Sequence, residues 1–180
     1  MRNAMMEVNP RFLGRSLVVL ICLTRLCCVP SAQSQQVPMQ TAIAENKARV
    51  QRWIEEGFNR RNLKVVDEVF AESFSINGHV MMRDDLKQSM RRRVTAFPDL
   101  HVTIDEIVSD GNQVAIWYTA HGTHKAEFEG IAGTGRQVTW IGSDLLRIEE
   151  GRITQGRFVD DSLGLMRQLG ARLMLPGAQR

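Results

Sequence analysis

Asp144 is an acid in a place where an apolar residue is expected. Val138, Trp140, Gly142, Leu146 and Ile148 share its parity on a segment that alternates with period two. A carboxyl group on that face loses water. Desolvation raises its pKa and makes the carboxylate a stronger base near neutral pH. The structural reading of the same acid is an ion pair, with Arg147 or Arg157 as partner. Asp160 and Asp161 end the next strand. Asp160 shares parity with Phe158 and can face the same side, while either acid can instead cap the helix that starts at Ser162–Leu163. His121 shares parity with Trp117 and Thr119 and is expected to face inward.

Other chemistries are excluded by residue type and spacing. The four histidines, His79, His101, His121 and His124, lack the paired spacing of metal ligands, so no metal site is expected. His101 opens a strand and is expected at the surface. Gly133-Thr134-Gly135 has no Gly-Lys-Ser/Thr ending and reads as a tight turn, not a phosphate loop. All three cysteines, Cys22, Cys27 and Cys28, lie in the first 32 residues, so disulfides and thiolate zinc sites are excluded from the rest. Trp53, Phe58, Phe74, Met81, Met82, Trp117, Trp140 and Phe158 supply apolar bulk for a core and for pocket walls.

The elements that must position these groups follow from periodicity. Ile43, Val50, Trp53, Ile54 and Phe58 predict a helix over 42–60, and a short second helix is expected over 63–70. Residues 74–77 read as extended, and Asn77-Gly78 marks a turn. Leu86, Met90, Val94 and Phe97 form the buried stripe of a third helix ended by Pro98. Lys87 and Arg91–Arg93 lie mostly off that stripe and read as a solvated face. Beyond Pro98 the period becomes two. Strands over 101–109 and 113–122 flank Asp110-Gly111-Asn112, strands over 137–149 and 152–160 flank Glu150-Gly151, and a helix closes over 162–169. Helices first and an antiparallel sheet afterwards predict an α+β domain.

Length and charge bound the rest. The 180 residues suit one domain with a real core. Of 23 basic and 20 acidic residues, four and one fall in the first 32, so the remainder is neutral and nucleic acid is not an expected partner. Residues 1–32 read as a signal peptide. Arg11 and Arg15 precede the apolar run 16–24, and small Ala32 precedes a plausible cleavage point. That run is too short to span a bilayer. Secretion or periplasmic export is therefore expected, with a cytoplasmic chain as the alternative. Residues 33–41 read as a polar linker, 42–170 as the domain and 171–180 as a tail.

Several short motifs in this order resemble the SnoaL-like polyketide cyclases (ester cyclases) of the nuclear-transport-factor-2-like superfamily. They are Phe97-Pro98-Asp99-Leu100, Gly122-Thr123-His124, Glu127-Phe128-x-Gly130-Ile131, Thr134-Gly135-Arg136, Leu146-Arg147-Ile148 with Gly151-Arg152-Ile153, and the segment from Gly164 to Gly170. The resemblance implies a cone-shaped α+β barrel: a curved antiparallel sheet and three helices around a pocket. It also implies a homodimer, a small hydrophobic partner molecule, and no cofactor. Cyclases of this kind close a ring by an aldol step, with a base for the acidic proton and a donor for the enolate. Their usual catalytic acid corresponds to Phe158 here, and Asp161 matches the second acid of the pattern. The resemblance further points to His124 at the pocket rim and to His79 and Asn77 as polar pocket residues, with Asn77 as a donor.

Three functions follow. One is a cofactor-free cyclase, isomerase or dehydratase acting on a hydrophobic carbonyl compound, with Asp144 as base and Asp160, His121 or Asn77 assisting. A second is epoxide hydrolysis by Asp144, Arg157 and Asp160. The third is a non-catalytic binder of small apolar ligands in the cell envelope, which export and the loss of the acid at Phe158 both favour.

Overall fold

The computed structural model describes residues 32–172, with side chains from 39 onward. The expected signal peptide and most of the expected tail lie outside the described residues. Helix α1 (Ala32–Arg52) runs without a break into a wider π-helical segment, Trp53–Asn59. Residues 33–41 therefore continue a helix instead of forming a linker. A five-residue hydrogen-bond ring marks the π turn, with Arg60 N–H donating to Glu55 O at 2.9 Å. This spacing brings residues five apart together, and the rings of Trp53 and Phe58 lie 5.9 Å apart. Such turns are frequent at functional sites.

Helix α2 (Val65–Val69) leads into β1 (Phe70–Ile76), β2 (His79–Met82) and α3 (Arg83–Ala96). The long strands are β3 (His101–Asp110), β4 (Gln113–Thr123), β5 (Gln137–Glu149) and β6 (Arg152–Asp160), and α4 (Ser162–Leu169) closes the chain. Asp161 caps α4, its Oδ1 accepting the Gly164 N–H at 2.9 Å.

The six strands form one curved, unclosed sheet in the order β2-β1-β6-β5-β4-β3. The α+β class holds, with two refinements. The sheet is mixed, because β1 runs parallel to β6, and among the described residues there are four α-helices, as periodicity predicts, where the family resemblance implies three. The parallel pair arises because β6, reached through the antiparallel run β3 to β5, lies beside the earlier strand β1 and points the same way. Asn77 fastens that junction, its side chain making two 2.9 Å hydrogen bonds to the Phe158 backbone.

Alternation decides the two faces. Val114, Ile116, Tyr118 and Ala120 of β4 are buried with Val138, Trp140, Asp144, Leu146 and Ile148 of β5. They pack against Val50, Trp53, Ile54, Leu86 and Met90 from the helices. The opposite face carries Trp117, Ile141, Leu145 and Val159, all exposed. Among the described residues no helix is long and apolar enough to cross a membrane.

Candidate active site

The sheet and helices form a partly open cavity of about 90 Å³. Trp53, Ile54 and Phe58 of the π segment form one wall, and Leu86, Met90 and Arg93 of α3 form another. Tyr118, Trp140, Asp144, Phe158 and Asp160 project from three adjacent strands as its floor.

Register makes that floor. In one cross-strand row Tyr118 pairs with Gly142 and Gly142 with Asp160; in the next, Ile116 pairs with Asp144 and Asp144 with Phe158. Asp144 and Asp160 are thus diagonal neighbours on one face. Glycine at 142 leaves the centre of the first row open. The Tyr118 hydroxyl reaches across it and donates to Asp160 Oδ1 at 2.5 Å. A methyl at position 142 would lie 2.3 Å from Tyr118 Cζ and 2.8 Å from Asp160 Oδ1. On its other side Asp160 is paired with Arg93, Nη2 to Oδ2 at 3.0 Å.

The two acids have opposite surroundings. Asp160 has a phenol and a guanidinium. Asp144 is buried, and its Oδ1 has no hydrogen-bond partner among the described residues. Burial pushes the Asp144 carboxyl up to about 8; the charge of Asp160 adds to this and Arg93 opposes it. At pH 7 most molecules therefore hold a proton on Asp144. Tyr118 is pushed well above the ordinary phenol value, first by burial and then by the charges of Asp144 and Asp160, so it stays a hydrogen-bond donor. A buried carboxyl pushed up in this way can serve acid or base work beside the neighbouring Asp160.

Several expected site residues lie elsewhere. His121 is on the outer face, exposed, with its ring 5.4 Å from that of His101. Trp117 is on the same face and 46% exposed. The inward set of β4 is the more apolar one, which is why the parity of His121 points to solvent. His79 is exposed on the edge strand β2. Asn77 is used up in its clamp on β6 and donates nothing to the cavity. His124 is fully buried, but beside Phe97 and not on the cavity wall, with Nδ1 accepting the Thr134 N–H at 3.2 Å. Arg157 is exposed, and neither it nor Arg147 pairs with Asp144 among the described residues. Trp140 and Phe158 do line the cavity, Phe158 stacking on Trp53 at 5.6 Å. Met82 is exposed, and Phe74 belongs to the core.

Sequence reasoning passed over Tyr118 and Arg93. Both carried a signal. Tyr118 shares parity with Val114, Ile116 and Ala120. Arg93, read with the solvated face, stands three residues after Met90 and seven after Leu86, at the half-buried edge of that stripe. Among the described residues no three His, Cys, Asp or Glu side chains converge to hold a metal ion.

Known proteins fit this geometry. Wild-type IdmH from Streptomyces antibioticus, a candidate polyketide cyclase, is 26% identical, with a TM-score of 0.63 over 70% of this chain and 99% of its own. TsrD from Streptomyces laurentii is 25% identical, with a TM-score of 0.66 over 72% of this chain and 97% of its own. A SnoaL-like polyketide cyclase from Agrobacterium tumefaciens, 19% identical, shares the fold at a TM-score of 0.62, covering 69% of this chain and 98% of its own. A search of curated proteins finds no match. The family model of the SnoaL-like polyketide cyclases matches residues 48–169, which takes in every element from the end of α1 to α4 and every group on the cavity floor. The chain belongs to the SnoaL-like polyketide cyclase family.

Proposed function

We propose that the protein is a cofactor-free acid/base catalyst for a hydrophobic carbonyl substrate, with Asp144 as the group that moves the proton. The observation that carries this reading is the buried Asp144 carboxyl on the cavity wall, its Oδ1 without a hydrogen-bond partner among the described residues. In its ionised form Asp144 takes the proton next to a carbonyl. The electron pair moves onto the carbonyl oxygen as an enolate, and the enolate carbon attacks a second carbonyl to close a ring. Asp144 then returns the proton to the new alkoxide, so product and substrate are isomers. Tyr118 and Arg93 line the same cavity and are donors that the developing charge can recruit.

The pH dependence follows from Asp144. A base acts in its ionised form, so exchange of the α-protons of 2-tetralone in deuterated buffer should rise with pH and level off above about 8. Exchange no faster than buffer at any pH, for 2-tetralone and for a wider panel of aryl ketones, would leave a binding protein as the better reading.

A second reading, epoxide hydrolysis, has one observation in its favour. An arginine sits with the two acids, and it is Arg93 instead of Arg157. Protonated Asp144 would give its proton to the epoxide oxygen while Asp160 takes one from the attacking water. The sign of the pH profile separates the two readings, because an acid at Asp144 makes the rate fall above about 8. Styrene oxide hydrolysis in ¹⁸O-water reads this directly.

The homodimer implied by the family resemblance belongs to the same proposal. Trp117 and Val159, both exposed, stand on either side of Ser143 in one cross-strand row of the outer face. Sedimentation at twice the chain mass, reverting to a monomer in Trp117→Glu, is the expected result; a monomeric parent protein overturns it.

A further inference from the structure

We infer that the substrate carries an anionic group, a carboxylate or a phosphate, which Arg91 and Arg92 hold in a groove outside the cavity while its carbonyl end reaches Asp144. This inference rests on the reading of Asp144 above and specifies the substrate class for that site.

The first argument is size. The partly open cavity measures about 90 Å³, below the ~300–1,000 Å³ of sites that bury small organic ligands. It takes the reacting end of a hydrophobic carbonyl compound and leaves the rest outside. The second is continuity. Ser89 and Arg93 line this cavity and also a groove of about 430 Å³ between α3 and the connection from β4 to β5. The two spaces therefore adjoin at Ser89 and Arg93, and the inference places the ligand across that boundary.

The third argument is charge. Arg91 and Arg92 line the groove, are exposed, and make no hydrogen bond or ion pair within the described residues. Two acids share the groove. Glu127 turns back on its own loop, accepting the Gly130 N–H at 2.6 Å, and Glu129 sits on a left-handed turn with φ 48°. Neither pairs with an arginine, and Arg93 is held by Asp160. Arg91 and Arg92 therefore remain as open donors, and guanidinium forks match carboxylate or phosphate oxygens in geometry and charge. Phe128, across the groove, offers an apolar surface for the chain that joins the two ends of the ligand.

Calorimetric titration of the full chain tests this with three probes: 4-(2-naphthyl)-4-oxobutanoate, its methyl ester, and 2-naphthyl phosphate. The parent protein should bind the keto acid about tenfold tighter than the ester. The Arg91→Gln/Arg92→Gln double variant should erase that difference, while Asp144→Asn, which removes proton transfer, should keep it. Tighter binding of the phosphate than of the keto acid would assign the groove to phosphate, and the reverse order to carboxylate. Equal binding of acid and ester, or a difference that survives in the double variant, overturns the inference. Discrimination that persists while no ketone exchanges its protons counts against the catalytic reading alone.

Discussion

Asp144→Asn should lower turnover by about 10²–10⁴-fold and, at alkaline pH, make the protein more stable. Both effects come from one buried charge. In the unfolded chain Asp144 ionises near ~3.9; in the folded protein it holds its proton up to about 8. Below the unfolded value both states are protonated and nothing is lost. As pH rises from there to about 8, the unfolded chain releases a proton that the fold retains, so stability falls. Above about 8 the folded protein carries the full cost of a desolvated carboxylate, on the order of 5 kcal/mol. Asparagine keeps the shape and cannot ionise. Urea unfolding at pH 9 should therefore give a higher midpoint for the variant than for the parent, and the gap should close toward pH 4. Circular dichroism confirms that both are folded. Equal pH dependence of stability in the two proteins would show that Asp144 is not desolvated, and the proton-transfer role would lose its basis.

The second large effect is expected at a residue with no functional group. Gly142→Ala places a methyl 2.3 Å from Tyr118 Cζ and 2.4 Å from its hydroxyl. The ring must swing away, and its hydrogen bond to Asp160 is lost. Overpacking costs about 1–3 kcal/mol, and a hydrogen bond to a charged group about 1.5–3 kcal/mol. A loss of ~3 kcal/mol in denaturant unfolding is the expected result, with turnover reduced because Asp160 keeps only Arg93. Tyr118→Leu removes the ring that the methyl strikes. In the Gly142→Ala/Tyr118→Leu double variant the two losses should be clearly less than additive. Strict additivity would mean that the methyl and the ring do not meet.

Together these two sites describe how the cavity treats its acids. Gly142 and the phenol it admits keep Asp160 hydrogen-bonded, while among the described residues no group satisfies Asp144 Oδ1. The proposed chemistry uses that asymmetry, and the alkaline instability expected of the parent protein is its thermodynamic counterpart.

Much of this was legible in the residues. Alternation along 137–149 and 152–160 determined both strands, the glycine turn between them, and the fact that Asp144, Asp160 and Phe158 share faces with apolar neighbours. The stripe from Leu86 to Phe97 determined α3. Family motifs from Phe97 to Gly170 determined the fold around them. Parity, however, is relative. It groups His121 with Trp117 and Thr119 without saying which group is inside, and the choice fell to Val114, Ile116, Tyr118 and Ala120 because they bury more apolar surface. The partners of Asp160 were out of reach of local pattern. Tyr118 is 42 residues away and Arg93 is 67. Their meeting depends on the β4–β5–β6 register and on α3 docking over that face. Periodicity is set by neighbours along the chain, so the sequence alone determined which side chains travel together. Only the tertiary structure, by closing contacts between distant segments, decided that Asp160 is satisfied and Asp144 is left alone.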